Sequence, residues 1–324
     1  TWQAASANID HFSVAASTTT PTAGDSVSLT ITARDFYDNA IPSYNPVNPL
    51  NLVSGASQGP RVRWGGNAAV TDLGNGNATY AAGAPFNANG QTTVTVSYER
   101  ALEALAPTVT ESVGGQTGAS PAITWQVGPV ASFNVAPSTT TPVAGSFVTL
   151  TVSAFDAYSN PIANYNPAND LLLTALGASQ GARVAWAGNP VVLDNGDGTA
   201  VYRAGLPGSP FDGAGQTSFT IRYEVAFENV NARVTESGLG LVGSSSAIQW
   251  QPDVLNYFTA VSSSYSPTVN TPVTITLVAR DQYGNYIPGA NPAGPVTLTA
   301  TGADTTANLT WGGAGVTDNP DLTG

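Results

Sequence analysis

Three times along the chain an aspartate is followed two and four positions later by a tyrosine and an asparagine: Asp35, Tyr37 and Asn39; Asp156, Tyr158 and Asn160; Asp281, Tyr283 and Asn285. Side chains at this spacing share one face of an extended segment, and their oxygens could hold calcium if a neighbouring loop adds carboxylates. A second chemistry is purely local, because Asp and Asn in such places hydrogen-bond the backbone of the turn that follows. Calcium asks for six or more oxygens. The sequence therefore favours turn capping at Asp35, Asn39, Asp156, Asn160, Asp281 and Asn285, with calcium as the second reading and the only candidate cofactor.

The remaining reactive patterns are thinner. Asp194, Asn195, Gly196, Asp197 and Gly198 superficially suggest a calcium loop but lack the distant glutamate of an EF-hand, and they read better as a hairpin turn. His11 is the single histidine; its counterparts in the repeats described below are Ser132 and Tyr257, which leaves no basis for a catalytic triad. The pairs Glu99/Glu103 and Glu224/Glu228 have the residue types of glycoside cleavage. Their duplication, with no larger catalytic module around them, reads as solvated surface charge, and no catalytic residue is assigned. Tyr44 and Tyr165 lie in Asn-Pro loops and could stack on sugar rings, although the third copy has Ala290 in that place. Asn77 and Asn308 begin glycosylation sequons.

Composition excludes more than it suggests. The 324 residues contain no Cys, Met or Lys, which removes thiol catalysis, disulfides, cysteine-ligated zinc and lysine Schiff bases. A net charge of −12 argues against nucleic acid and anionic membranes as partners. The most apolar stretch, 171–176, is far shorter than the roughly 18 residues a membrane span needs. A chain this poor in reactive groups is expected outside the cell, secreted or on the cell surface.

The elements that must position these residues recur. The segment from Phe12 to Gly24 returns from Phe133 to Gly145 and, more weakly, from Phe258; Gly55 to Gly59 returns as Gly177 to Gly181. All six tryptophans fall into two series, Trp64/Trp186/Trp311 and Trp2/Trp125/Trp250. The expected organisation is a closing strand of a preceding repeat over 1–7, repeat 1 over 8–128, repeat 2 over 129–253 and a partial repeat 3 over 254–324. By the same spacing, the closing tryptophan of repeat 3 is expected near position 375. Either the chain is a window on a longer array or another chain completes repeat 3.

Strict alternation predicts a half-buried strand in every copy: Val27, Leu29, Ile31 and Ala33; Val148, Leu150, Val152 and Ala154; Val273, Ile275, Leu277 and Ala279. Each repeat offers about seven or eight such strands, punctuated by Asn-Gly turns and by the 34 glycines and 23 prolines of the chain. The run from Tyr98 to Ala106 is rich in helix formers, but its counterpart from Tyr223 to Asn231 is not, so an irregular strand or loop is expected in both. Only eight positions separate Trp125 from Phe133 and Trp250 from Phe258, with a proline inside each interval. Junctions this short predict a semi-rigid linear array.

The segments Ala33–Ile41, Ala154–Ile162 and Ala279–Ile287 resemble the strand-end motif of bacterial immunoglobulin-like domains of the invasin and intimin type. Asp194–Tyr202 resembles the hairpin shared with filamin-type repeats. The resemblance implies an all-β chain of tandem immunoglobulin-like β-sandwiches in large extracellular surface proteins. The expected function is non-enzymatic and structural, a cell-surface filament, stalk or adhesin shaft with copies of itself or further repeats as partners, including strand exchange between subunits. The alternatives are glycan- or receptor-binding adhesin modules and spacer domains of a secreted enzyme.

Overall fold

The computed structural model describes residues 8–301 and 309–319. The expected closing strand over 1–7, with Trp2, the sequon at Asn308 and the segment 320–324 lie outside the described residues.

In repeat 1 the alternating residues form strands β1 (His11–Ala16), β2 (Ser26–Arg34), β3 (Leu50–Val53), β4 (Val62–Gly65), β5 (Val70–Asp72), β6 (Asn77–Tyr80), β7 (Gln91–Tyr98), β8 (Ala104–Leu105), β9 (Thr108–Glu111), β10 (Thr117–Ala119) and β11 (Ile123–Thr124). One antiparallel sheet runs β1-β2-β7-β4, the other β10-β9-β3-β6-β5, and β8 pairs with β11 beside them. Val27, Leu29, Ile31 and Ala33 of one sheet and Leu50, Leu52, Ala78 and Val109 of the other are all buried, so the two apolar faces close on each other as an immunoglobulin-like β-sandwich. The run from Tyr98 to Ala106 is loop and short strand, without helix.

Repeat 2 builds the same sandwich. Its first sheet orders Val130–Pro137, Phe147–Asp156, Gln216–Tyr223 and Val184–Ala187. Its second centres on Leu171–Leu176, flanked by Thr199–Tyr202 and Asn229–Glu236. The cores of repeats 1 and 2 are separate clusters, so each repeat encloses its own apolar interior. Trp64 and Trp186 are core residues, and Trp125 and Trp250 are wholly buried.

Repeat 3 departs from the expected pattern. Tyr257–Ser262 pairs with Ile275–Arg280, but of the alternating set only Ala279 is buried, while Ile275 and Leu277 are 40% and 39% exposed. Alternation marks a face that can be buried; here no second sheet faces it among the described residues. Among those residues no helix is long and apolar enough to cross a membrane.

Candidate functional site: the joint between repeats

The Asp-x-Tyr-x-Asn segments sit where the second strand of each repeat ends and the chain turns. In repeat 2, Asp156 Oδ1 accepts the N–H groups of Tyr158 and Asn160, both at 2.9 Å, which caps the turn as expected. Ser159 takes a φ of 64° to complete it; Asp38 and Gly284 do the same in the other repeats, at 65° and 83°.

The turn also faces the preceding repeat. Asn160 Nδ2 donates to the Glu99 carbonyl at 2.8 Å, and Asn160 Oδ1 accepts the Ala101 N–H at 2.9 Å. One amide thus grips both polarities of a backbone loop sixty positions earlier, and the Ala101 N–H fixes which end of the amide is oxygen. Nδ2 also donates to Asp156 Oδ2 at 2.9 Å, and that oxygen accepts the N–H of the linker residue Gly128 at 3.1 Å. The Tyr158 carbonyl accepts from Arg61 Nη2 at 3.1 Å. The Tyr158 phenol lies directly over Gly24, where an added Cβ would overlap it.

The second joint repeats the first. Asn285 Nδ2 donates to the Glu224 carbonyl at 2.7 Å, and Asn285 Oδ1 accepts the Ala226 N–H at 2.9 Å. Asp281 Oδ2 accepts the N–H of the linker residue Asp253 at 3.0 Å. Arg183 Nη2 donates to the Tyr283 carbonyl at 2.7 Å, and the Tyr283 phenol covers Gly145. Asp156, Asn160, Asp281 and Asn285 are all buried. The far end that receives the motif is braced within its own repeat. Gly24 N–H donates to the Tyr98 carbonyl and Trp125 Nε1 to the Asp25 carbonyl, with Gly145, Tyr223, Trp250 and Ser146 corresponding in repeat 2.

At both joints the oxygens of the turn are engaged by hydrogen-bond donors. Backbone and amide N–H groups ring the Asp156 and Asp281 carboxylates, and the Asn160 and Asn285 oxygens are engaged by the preceding repeat. Among the described residues no cluster of three or more His, Cys, Asp or Glu could hold a metal ion. Burial pushes the Asp156 and Asp281 pKa values up, but the hydrogen bonds from the asparagine, the linker and the turn outweigh it and leave both below the ordinary carboxylate value. A folded-state pKa below the unfolded one adds stability that is present above the unfolded value and is lost as pH falls through the folded value. The joints should therefore hold at neutral pH and weaken only below about pH 4. Melting of the wild type and Asp156→Asn across pH checks this: the difference between them should shrink on acidification.

Other expectations need correction. Tyr44 and Tyr165 are not offered to sugars. Tyr44 packs edge-on against Phe12 and Phe86, and Tyr165, 9% exposed, packs against Phe133 and Phe211. The Asn-Pro loops fold back over the sandwich because these rings find an aromatic cluster beneath them. Burial and the nearby Glu111 charge raise the Tyr44 pKa to about 12. Burial and a 2.9 Å hydrogen bond to the buried Glu236 raise that of Tyr165. Tyr165→Phe should destabilise repeat 2 by about 1–3 kcal/mol, since Glu236 loses the donor to Oε2 while Oε1 is already unpaired. Urea unfolding reads that loss.

Nor are the glutamates simply solvated. Glu103 accepts from Ser57 N–H at 2.7 Å, Ser57 Oγ at 2.7 Å and Tyr98 Oη at 2.8 Å, and Glu228 is held likewise by Ser179 and Tyr223. Burial raises the pKa of each carboxyl, but those donors win and the net shift is downward. A general acid for glycoside cleavage needs the opposite shift. Glu103 and Glu228 pin the loop whose backbone the next repeat grips. His11 is 37% exposed and pairs with Asp10 and Asp38 at 3.0 and 3.3 Å. The Asp194–Gly198 segment is a hairpin turn, with Asp194 Oδ1 accepting the Gly196 N–H.

No protein-family model matches the chain, and no curated protein matches it. Solved structures do. The Escherichia coli adhesin FdeC is 21% identical over 92% of this chain and 82% of its own, with a TM-score of 0.38. The D0-D1 domain of intimin is 14% identical over 75% of this chain and 98% of its own, at 0.25. Domains 5–6 of the S-layer protein SbsC are 16% identical over 75% and 98%, at 0.24.

Proposed function

We infer that this chain is a non-enzymatic extracellular structural protein whose repeats form a stiff stalk or shaft at the cell surface. The observation that carries the reading is the joint: the same Asp, Tyr and Asn lock onto the same backbone loop, glycine and arginine at both successive junctions. A flexible tether between independent modules needs none of this. A spacer that must hold its direction needs a repeated, directional contact, and buried hydrogen bonds between neighbours supply one. Repeats 1 and 2 close without strand exchange, because Ile123–Thr124 and Ile248–Gln249 pair with strands of their own repeats. Immunogold electron microscopy of source cells tests the proposal. Label on straight surface projections is the expected result, and label confined to the cell interior would overturn it.

A further inference from the structure

Repeat 1 carries the complete motif at its outer end. Asp35 Oδ1 accepts the N–H groups of Tyr37 and Asn39 at 2.9 Å, and Asn39 Nδ2 donates to both Asp35 oxygens at 3.2 Å, so the turn has already formed. Nothing among the described residues grips its outer face. Tyr37 is 76% exposed and Phe36 78%, whereas Tyr158 and Tyr283 are half-buried, and Asn39 is exposed where Asn160 and Asn285 are buried. In both completed joints this face is covered by one chemistry: a positive-φ glycine, an arginine on the short turn at 59–61 or 181–183, and a loop offering a glutamate carbonyl with an alanine N–H two residues on.

We propose that the Asp35–Asn39 end of repeat 1 is a docking surface for the far end of another repeat of this glycine-and-arginine type. The turn is preorganised, so docking need order only the Tyr37 ring and the Asn39 amide. Repeat 3 of a second copy is the wrong complement. At the spacing that relates Trp186 to Trp311, Asn270 stands for Gly145 and Asn308 for Arg183, and a side chain at the glycine position would occupy the space of the tyrosine ring. The far ends of repeats 1 and 2 are already engaged within the chain. The fitting occupant is therefore a further repeat of the repeat-1 or repeat-2 kind placed ahead of residue 8. This inference rests on the stalk reading, because it assumes the two joints are genuine contacts.

A chain with a second copy of residues 129–253 placed directly before Asn8 tests the proposal, since it keeps eight positions between the closing tryptophan and Phe12. The added unit brings its own enclosed core, so its folding is verified by the melting signal of an additional repeat. Tetranitromethane nitration, mapped by peptide, then compares Tyr37 with Tyr158. In the original chain Tyr37 should react readily and Tyr158 slowly; in the extended chain Tyr37 should fall to the Tyr158 level, and Asn39→Ala should restore its reactivity. Tyr37 reacting equally in both chains would overturn the proposal. So would concentration-dependent protection of Tyr37 in the original chain, which would make a second copy the occupant. Rapid nitration of Tyr158 itself would instead defeat the stalk reading.

Discussion

A Trp250→Ala chain should lose about 3–5 kcal/mol of repeat-2 stability while the core of repeat 1 stays folded. The indole is wholly buried, lies edge-on to Tyr223 with ring centroids 5.9 Å apart, and donates through Nε1 to the Ser146 carbonyl at 3.1 Å. Truncation opens a cavity at the end of the sandwich and releases the turn that presents Gly145. The damage should therefore reach the joint with repeat 3, since Tyr283 rests on that glycine. Repeat 1 keeps its core, which is a separate cluster, and loses only what the joint contributes once repeat 2 unfolds. Urea unfolding followed by the fluorescence of Trp186 and Trp64 separates the two repeats. A loss below about 0.5 kcal/mol, the size of an ordinary surface substitution, would show that the closing tryptophan has no structural role.

Asn160→Ala should remove about 3 kcal/mol of the free energy that couples repeats 1 and 2, while leaving both cores folded. It strips the partners from the Glu99 carbonyl and the Ala101 N–H and removes the donor to the Asp156 carboxylate. A bond to an ionised group contributes more than a neutral one. Asn160→Asp should be no better, because an oxygen would then face both the Asp156 carboxylate and the Glu99 carbonyl. In calorimetry the variant repeats should melt as two transitions further apart than in the wild type, with unchanged far-ultraviolet circular dichroism. Unchanged transitions would mean that the joint adds nothing to the coupling.

The sandwich was legible because period-two alternation at Val27 to Ala33 and Val148 to Ala154 has one physical reading, a sheet with one buried face. The joint was half legible. The local role of Asp156 could be read from its spacing, since an aspartate caps the backbone just ahead of it. The role of Asn160 could not, because its partners lie 59 and 61 positions away and are backbone groups, which carry no residue signature. A signal existed nonetheless: Gly24 and Arg61 of repeat 1 recur as Gly145 and Arg183 of repeat 2, whereas the corresponding positions of repeat 3 hold Asn270 and Asn308. Tyr44 and Tyr165 misled because a loop position says nothing about whether the loop folds back onto aromatic residues such as Phe86 and Phe211. The exposure of Ile275 and Leu277 has the opposite cause, a correctly read strand without a facing sheet among the described residues.

The absence of cysteine allows the joint to be measured directly. Spin labels at Leu73→Cys and Leu193→Cys, on exposed hairpins of repeats 1 and 2, report the distance between the repeats by pulsed electron resonance. A locked joint predicts a single narrow distribution in the wild type that broadens in Asn160→Ala. A distribution already broad in the wild type, and unchanged by Asn160→Ala, would contradict it.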